Sequence, residues 1–350
     1  MAAKPERPAR RVSQQDIARE ANVSRVTVSL VLAGKDQTSE ETRKRVLEAA
    51  SRLRYRPNLL VQGMQTGRTG AIGVIMPVSM WFHGQIARGV HDELIEDDFV
   101  PVQLWTTPDS HTKEVELEQI HRLVDRRVDG MIIIPGDGSV PDIHFQEIWQ
   151  RAIPLVTVDR ETTTQADHVG TDEELGGRLA AEHLLSLGHK RTLLVTVPEK
   201  VGNTHRRGQS FVKAMEQGGG NVEIVAGHSE EIHPPLEQAL SRAETSRPTA
   251  VFAAMDPLAM KVYGVAAKLA IRIPGEISVV GYADFPFAAD MVPPLTTVKQ
   301  DPYQMGRQAA RILLDRILSR LQSAAPNRHY FGPQLMVRGS TAEVSQSRLA

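Results

Sequence analysis

From Ser13 to Leu32 the apolar positions fall into two short runs of helical period separated by a break. Ile17, Ala18 and Ala21 share one face of the first run. Val28 and Val31 point inward from the second. Ser13 followed three residues later by Asp16 makes a capping-box-like start, with an acid at the positive end of the helix dipole. Asn22 tolerates a left-handed turn, Val23 plugs the space between the two runs, and Ser24 caps a second helix predicted to reach about Leu32. A third helix is predicted after Ser39, with Val46, Leu47, Ala50 and Leu53 as its apolar stripe, ending at Tyr55-Arg56-Pro57-Asn58. Two short helices joined by a tight turn place the second in a DNA major groove. Arg25, Val26, Thr27, Ser29 and Leu30 are left on its N-terminal end and outer face for base edges and phosphates, with Ser13 and Ser24 beside them.

Beyond Ala71 the pattern changes to apolar runs alternating with amphipathic segments, as in doubly wound α/β folds. Strands are predicted over 71–77, 99–105, 129–134, 154–158, 192–197, 222–226, 249–253 and 277–281. Helices are predicted over 84–96, 112–126, 141–151, 173–187, 206–217, 234–244, 257–270 and 302–322. Parallel sheets of this kind bind ligands at the carboxyl ends of their strands.

Charge sharpens the division. The near-neutral chain, net −1, hides a basic head of net +7 in residues 1–70 and an acidic remainder of net −8. A basic head neutralises phosphates, and an acidic body resists indiscriminate binding. Residues 1–11 read as a disordered basic tail. With no cysteine there is no disulfide framework and no thiol chemistry. No signal peptide and no membrane-length apolar run is legible, so the expected location is the cytoplasm. Aromatic residues at 5% argue against single-strand stacking platforms. Glycine-rich phosphate loops, a Gly-x-Ser-x-Gly elbow and His-Glu-x-x-His are absent from the sequence, and its 12 histidines form no metal pattern. His228 and His233 read as solvated loop residues. The expectation is a non-enzyme with no cofactor and no metal.

Taken with Tyr55-Arg56-Pro57-Asn58 and Thr66-Gly67-Arg68-Thr69-Gly70, the head resembles that of the lactose-repressor/galactose-repressor (LacI/GalR) family. The likeness continues in order through Arg126-Arg127-Val128-Asp129-Gly130-Met131-Ile132-Ile133, the segment 182–189, Ile273-Pro274-Gly275-Glu276 and the strand after it, Pro294-Leu295-Thr296-Thr297-Val298, and Val337-Arg338-Gly339-Ser340-Thr341 as the final strand. It covers about residues 12–341. The resemblance implies an all-α helix-turn-helix head over 12–58 and a hinge and linker over 59–70. It also implies a periplasmic-binding-protein-like α/β core over 71–341, with subdomains of about 71–165 and 166–298 and returning segments after 298. In the family the hinge folds on the operator and wedges a leucine into the minor groove. Met64 stands at that position here. Gly63 beside it costs a helix about 1 kcal/mol against alanine. Asn58, Gln62 and Met64 are the implied DNA contacts of this segment, and Leu30 replaces a frequent base-reading arginine.

The resemblance also implies an effector in the core cleft. Trp81 and Phe82 after the first strand, Asp159 after the fourth, Asp172, and Arg207 at a helix start are carried over as its contacts. Met255 and Ala283 replace two polar groups that commonly hold sugar hydroxyls, leaving Met255 and Asp284 as contacts of altered character. The implied protein is a sequence-specific transcriptional regulator, a repressor. It binds a near-palindromic operator as a homodimer and is switched by a small molecule, a sugar or related metabolite. The nine residues after Thr341 are too few for a heptad tail, so a tetramer is not expected. Two alternatives stay open: a DNA-binding regulator without a small-molecule switch, and a solute-binding protein of similar core.

Overall fold

The computed structural model describes residues 12–32, 35, 37–56, 68–77, 80–107, 112–136, 145–161, 166–198, 202–320 and 325–344. The chain divides into two compact units, residues 1–69 and 70–350.

The first unit is built of helices α1 (Gln14–Glu20), α2 (Arg25–Leu32) and α3 (Glu40–Arg52). The Asp16 carboxylate accepts from both Ser13 N and Ser13 Oγ, at 2.8 and 2.6 Å, which fixes the start of α1. Asn22 takes the turn at φ 52°. Ile17, Ala18, Ala21, Val28, Val31, Val46, Ala49 and Ala50 close one small core, with Val23 and Leu53 packed against it. The predicted stripe of α3 is corrected at one position. Ala49 is buried, whereas Leu47 is 48% exposed, because the inward face of α3 runs through Val46, Ala49 and Ala50 at spacings of three and one.

The second unit holds two six-stranded sheets among the described residues. The strands of the first are β1 (Ala71–Pro77), β2 (Val100–Thr106), β3 (Gly130–Ile133), β4 (Leu155–Val158), β5 (Asp167–Thr171) and β11 (Arg328–Phe331), in the order β11-β5-β4-β3-β1-β2 and all parallel. The second sheet repeats this plan with β6 (Arg191–Thr196), β7 (Asn221–Ala226), β8 (Ala250–Ala253), β9 (Ser278–Ala283), β10 (Thr296–Lys299) and β12 (Gln334–Met336), in the order β12-β10-β9-β8-β6-β7. Only the β10–β12 pair is antiparallel among the described pairs of this sheet.

Helices cover both faces of each sheet. On the first these are α4 (Met80–Glu96), α5 (Lys113–Asp125), α6 (Gln146–Gln150) and, from late in the chain, α11 (Pro302–Ile317). On the second they are α7 (Glu173–Ser186), α8 (Asn203–Gln217), α9 (His233–Leu240) and α10 (Asp256–Lys268). Asp172 caps α7 through Leu175 N at 2.9 Å, and Asp301 caps α11 through Gln304 N at 3.1 Å.

Three expectations move. The division at about residue 165 is displaced, because β5 pairs in parallel with β4 and so belongs to the first sheet. Its sequence, Asp-His-Val-Gly-Thr, shows no apolar run because its polar side chains are buried with partners. Asp167 takes two bonds from Arg316, at 2.8 and 2.9 Å, and His168 Nδ1 lies 3.0 Å from Thr157 Oγ1. The final strand is 334–336 rather than 337–341. The latter segment is held largely by side chains instead: Ser340 Oγ accepts from Thr296 N at 2.8 Å and donates to Val279 O at 2.6 Å. The helix expected over 141–151 is observed at Gln146–Gln150, and 141–144 lie outside the described residues.

The closest helix contacts rest on glycine. A Cβ at Gly89 of α4 would lie 2.1 Å from Tyr303 O, and one at Gly306 of α11 would lie 2.1 Å from Ile86 O. The two helices therefore pack backbone to backbone over the first sheet. Gly306→Ala is expected to force them apart and cost about 1–3 kcal/mol of core stability, measured by urea unfolding. An unchanged midpoint would contradict this packing.

Candidate functional site

In the head, α2 divides its residues by face. Val28 and Val31 are buried. Ser24 and Arg25 are exposed, Val26 is 68% exposed, and Thr27, Ser29 and Leu30 are half-buried. Ser24 Oγ accepts from Thr27 N at 3.0 Å, so the helix starts where the base-reading residues begin. Ser13 is half-buried, and its N and Oγ both donate to Asp16. Asn58, Gln62 and Met64 lie outside the described residues.

In the core, both sheets reverse strand order between their first and third strands, β1/β3 and β6/β8. Ligands bind at the carboxyl ends of strands flanking such a point. Left-handed backbone also occurs at the carboxyl ends of the adjoining strands β4 and β9. Asp159 follows β4 at φ 64°, Ala283 ends β9 at φ 106°, and Asp284 follows it at φ 57°. Side chains that must hold left-handed backbone cluster at functional sites.

Arg207 lies in the first turns of α8, whose start is the left-handed Gly202 at φ 98°. It is only 6% exposed. Its Nε donates to Glu173 Oε2 at 2.8 Å and its Nη1 to Ala254 O at 2.6 Å, while the guanidinium sits 3.7 Å over the Tyr282 ring. Tyr282 Oη donates to the same Glu173 oxygen at 2.8 Å, and Gln300 Nε2 reaches Glu173 Oε1 at 3.4 Å and Thr171 Oγ1 at 2.9 Å. Burial pushes the Glu173 carboxyl above its ordinary range, opposed by Arg207 and Tyr282. Three donors converge on it, the arrangement of an ionised acceptor. Burial works against the charge of Arg207, but Glu173 more than offsets it, and the guanidinium is held above its ordinary value. The sequence singled out Arg207 but not Glu173, Tyr282 or Gln300. These partners come from separate segments, the helix α7, the strand β9 and the link between β10 and α11, and no local spacing marks them.

The other expected contacts are placed as follows. Asp159 is half-buried and accepts from Asn203 Nδ2 at both its carbonyl, 2.9 Å, and its carboxylate, 3.0 Å. His83 Nε2 lies 3.6 Å from its other oxygen. Burial tends to raise the Asp159 carboxyl, but His83 and the nearby arginines hold it below its ordinary value. Trp81 and Phe82 lie in the first turn of α4, which starts at Met80 rather than at 84, and both are half-buried. Trp81 meets Phe285, just beyond β9, at a ring distance of 5.5 Å, so an aromatic pair joins the two halves of the core. Asp172 caps α7. Met255 packs partly buried beside α10 against the second sheet's core. The carboxylate of Asp284 is bound by Arg338 Nη2 at 2.6 Å, and its turned backbone does not free it for the cleft. Asp256, beside Met255, is fully buried. It accepts from Phe285 N and Thr297 Oγ1, both at 2.7 Å, and fixes the loop that carries Phe285. Among the described residues no group of three or more His, Asp or Glu side chains is placed to hold a metal, and no helix is long and apolar enough to cross a membrane.

Comparison with known proteins gives the same two parts. A model of the bacterial regulatory proteins of the lacI family matches residues 13–58, and a model of the periplasmic binding protein-like domain matches residues 181–341. The HTH-type transcriptional regulator MalR of Streptomyces coelicolor is 34% identical over 347 residues, which span 95% of this chain and 97% of that protein. The crystal structure of the lac repressor dimer bound to operator and the anti-inducer ONPF superposes with a TM-score of 0.82 at 26% identity, covering 95% of this chain and 100% of that one. The complex of the transcriptional regulator CelR with cellobiose superposes with a TM-score of 0.66 at 28% identity, covering 94% and 100%.

Burial raises the carboxyl of Asp256 to about 6, against 3.8 unperturbed. Its favourable contribution is therefore complete below about pH 4 and is lost as pH rises through 6, an effect of up to about 3 kcal/mol. Denaturant unfolding from pH 4 to 8 should show the stability gap between wild type and Asp256→Asn narrowing as pH rises. A gap that is constant or widens contradicts this reading.

Proposed function

Because the chain belongs to the lacI family of bacterial regulatory proteins, and is thus a DNA-binding transcriptional regulator, we propose that it represses transcription from a near-palindromic operator. It does so in the cytoplasm as a homodimer, and its hold on DNA changes when a sugar or related metabolite enters the core cleft. The observation that carries the DNA half is the division of α2. Val28 and Val31 lock it into the head's core, and Arg25, Val26 and Thr27 stand on its capped N-terminal end. Arg25 pairs with a base edge or phosphate, Val26 and Leu30 offer apolar contact to thymine methyl groups, and Met64 serves as the minor-groove wedge. Ser13, Ser24, Thr27, Ser29, Asn58 and Gln62 complete the contact set.

The effector half is supported by what meets at the strand ends. An aromatic face at Trp81 and Phe82 suits a sugar ring, and Arg207 and Asp159 offer a fork and a carboxylate to hydroxyls. Arg207 Nη2 donates to none of the described residues, which leaves it for a ligand. Asp172, Met255 and Asp284 border the site. The relatives bound to cellobiose or to an anti-inducer make a small ligand the expected occupant. A ligand that binds two arrangements of the subdomains unequally shifts the balance between them, and with it the pairing of two heads on DNA. The tie of Asp284 to Arg338 and the apolar Met255 and Ala283 favour a second reading, a regulator that binds DNA without a ligand switch.

Selection of bound sites from random duplex DNA with the full-length protein tests the proposal. A palindromic site should be enriched. Arg25→Ala should weaken binding to it by about 1–3 kcal/mol, and Met64→Gly should also weaken it. Enrichment of no palindrome, or a site indifferent to Arg25, would overturn it.

A further inference from the structure

A buried arginine in a ligand cleft ordinarily draws a carboxylate or phosphate, since its planar fork matches both. Here that place is already taken from within the chain. Glu173 is 1% exposed and receives Arg207 Nε at 2.8 Å. Its seat is built around the pair. Tyr282 donates to it, and the ring of Tyr282 lies under the guanidinium. A Cβ at Gly176 would lie 2.3 Å from Tyr282 Oη, so glycine is what lets that hydroxyl reach Glu173. Gln300 closes the other oxygen at 3.4 Å.

The neighbouring guanidinium groups are also engaged within the chain. Arg206 pairs with Glu161 at 2.6 Å, and Arg160 Nη1 donates to the carbonyls of Pro135 and Gly136. Asp159 remains a half-buried carboxylate in the field of Arg207, held by Asn203 and close to His83. An incoming anion therefore meets a guanidinium that is already neutralised, with the buried carboxylate of Glu173 against it and the half-buried carboxylate of Asp159 nearby. Adding a charge to a dry site without a counter-charge is costly. A neutral polyol needs only hydrogen bonds, and Nη2 of Arg207 and the oxygens of Asp159 supply them.

We propose that Glu173 is a specificity-determining residue that restricts the cleft to uncharged, hydroxyl-bearing ligands and rejects their carboxylated and phosphorylated counterparts. The inference rests on the reading of the cleft as an effector site.

Calorimetric titration of the full-length protein with matched probes tests it: glucose against glucuronate and glucose 6-phosphate, galactose against galacturonate, and ribose against ribose 5-phosphate, with cellobiose as a further neutral probe. At least one neutral sugar is expected to bind, with its acidic or phosphorylated partner weaker by about tenfold or more. Glu173→Gln keeps the shape but removes the charge, and should shrink that ratio by about tenfold. Glu173→Asp keeps the charge and should preserve the preference for the neutral member. A merely structural role for Glu173 would weaken all probes alike and leave the ratio unchanged. An acidic or phosphorylated probe that binds wild type as tightly as its neutral partner overturns the inference, and so does a ratio untouched in Glu173→Gln. If that variant fails to fold, the wild-type ratio alone decides. If no probe of any pair binds, the effector reading itself falls, and this inference with it.

Discussion

A guanidinium does not give up its proton inside a protein, so burying one obliges the fold to bring a carboxylate to it. Arg207 imposes that obligation on this core, and Glu173 meets it. The two are 34 residues apart, and the third member, Tyr282, is 109 residues from Glu173. The network could not form unless α7, α8 and β9 were assembled around one point. It also touches the places where the chain passes between the two sheets. Glu173 opens α7 directly after β5, and Gln300 stands between β10 and α11. The Arg207 fork is thereby tied through Glu173 to both of these crossing segments.

Besides the hydrogen bonds of Asn203 to Asp159, two weaker contacts join the two halves. Arg206 and Glu161 are each about one third exposed, and such a pair is worth about 0–1 kcal/mol. The ring contact of Trp81 with Phe285 adds about 0.5–1.5 kcal/mol beyond its burial. A ligand of micromolar affinity brings about 8 kcal/mol, enough to outweigh both. These two contacts are ones that a small molecule could replace, whereas the Arg207–Glu173–Tyr282 centre is buried and bonded within itself.

Much of the head was legible in the sequence because its signals are local. Ser24 as a cap, Asn22 at positive φ and the Val28/Val31 face each depend on neighbours within a few residues. Leu47 was misassigned for the same reason, since adjacent apolar residues at 46 and 47 fit a helical stripe equally well and only packing chooses between them. In the core, strands with apolar runs were readable. β5 was not, because its buried polar residues are satisfied by Arg316 and Thr157 from distant segments. At the site, Arg207 could be read from its place in the family pattern. Glu173 looked like an ordinary acid in the first turn of a helix, and nothing near it in sequence marks it as buried. Asp284 misled in the opposite sense: its partner Arg338 is 54 residues away.

The most direct test of coupling between head and cleft follows Trp81. The chain has three tryptophans, so Trp105→Phe and Trp149→Phe leave Trp81 as the sole emitter, in contact with Phe285 across the cleft. Titrating this variant with the selected operator duplex should change its emission saturably, with the same midpoint as DNA binding, because linkage requires the cleft to respond to the operator if it controls the operator. Emission that stays constant until the DNA site is full would contradict the coupling, and with it a repressor switched through its core.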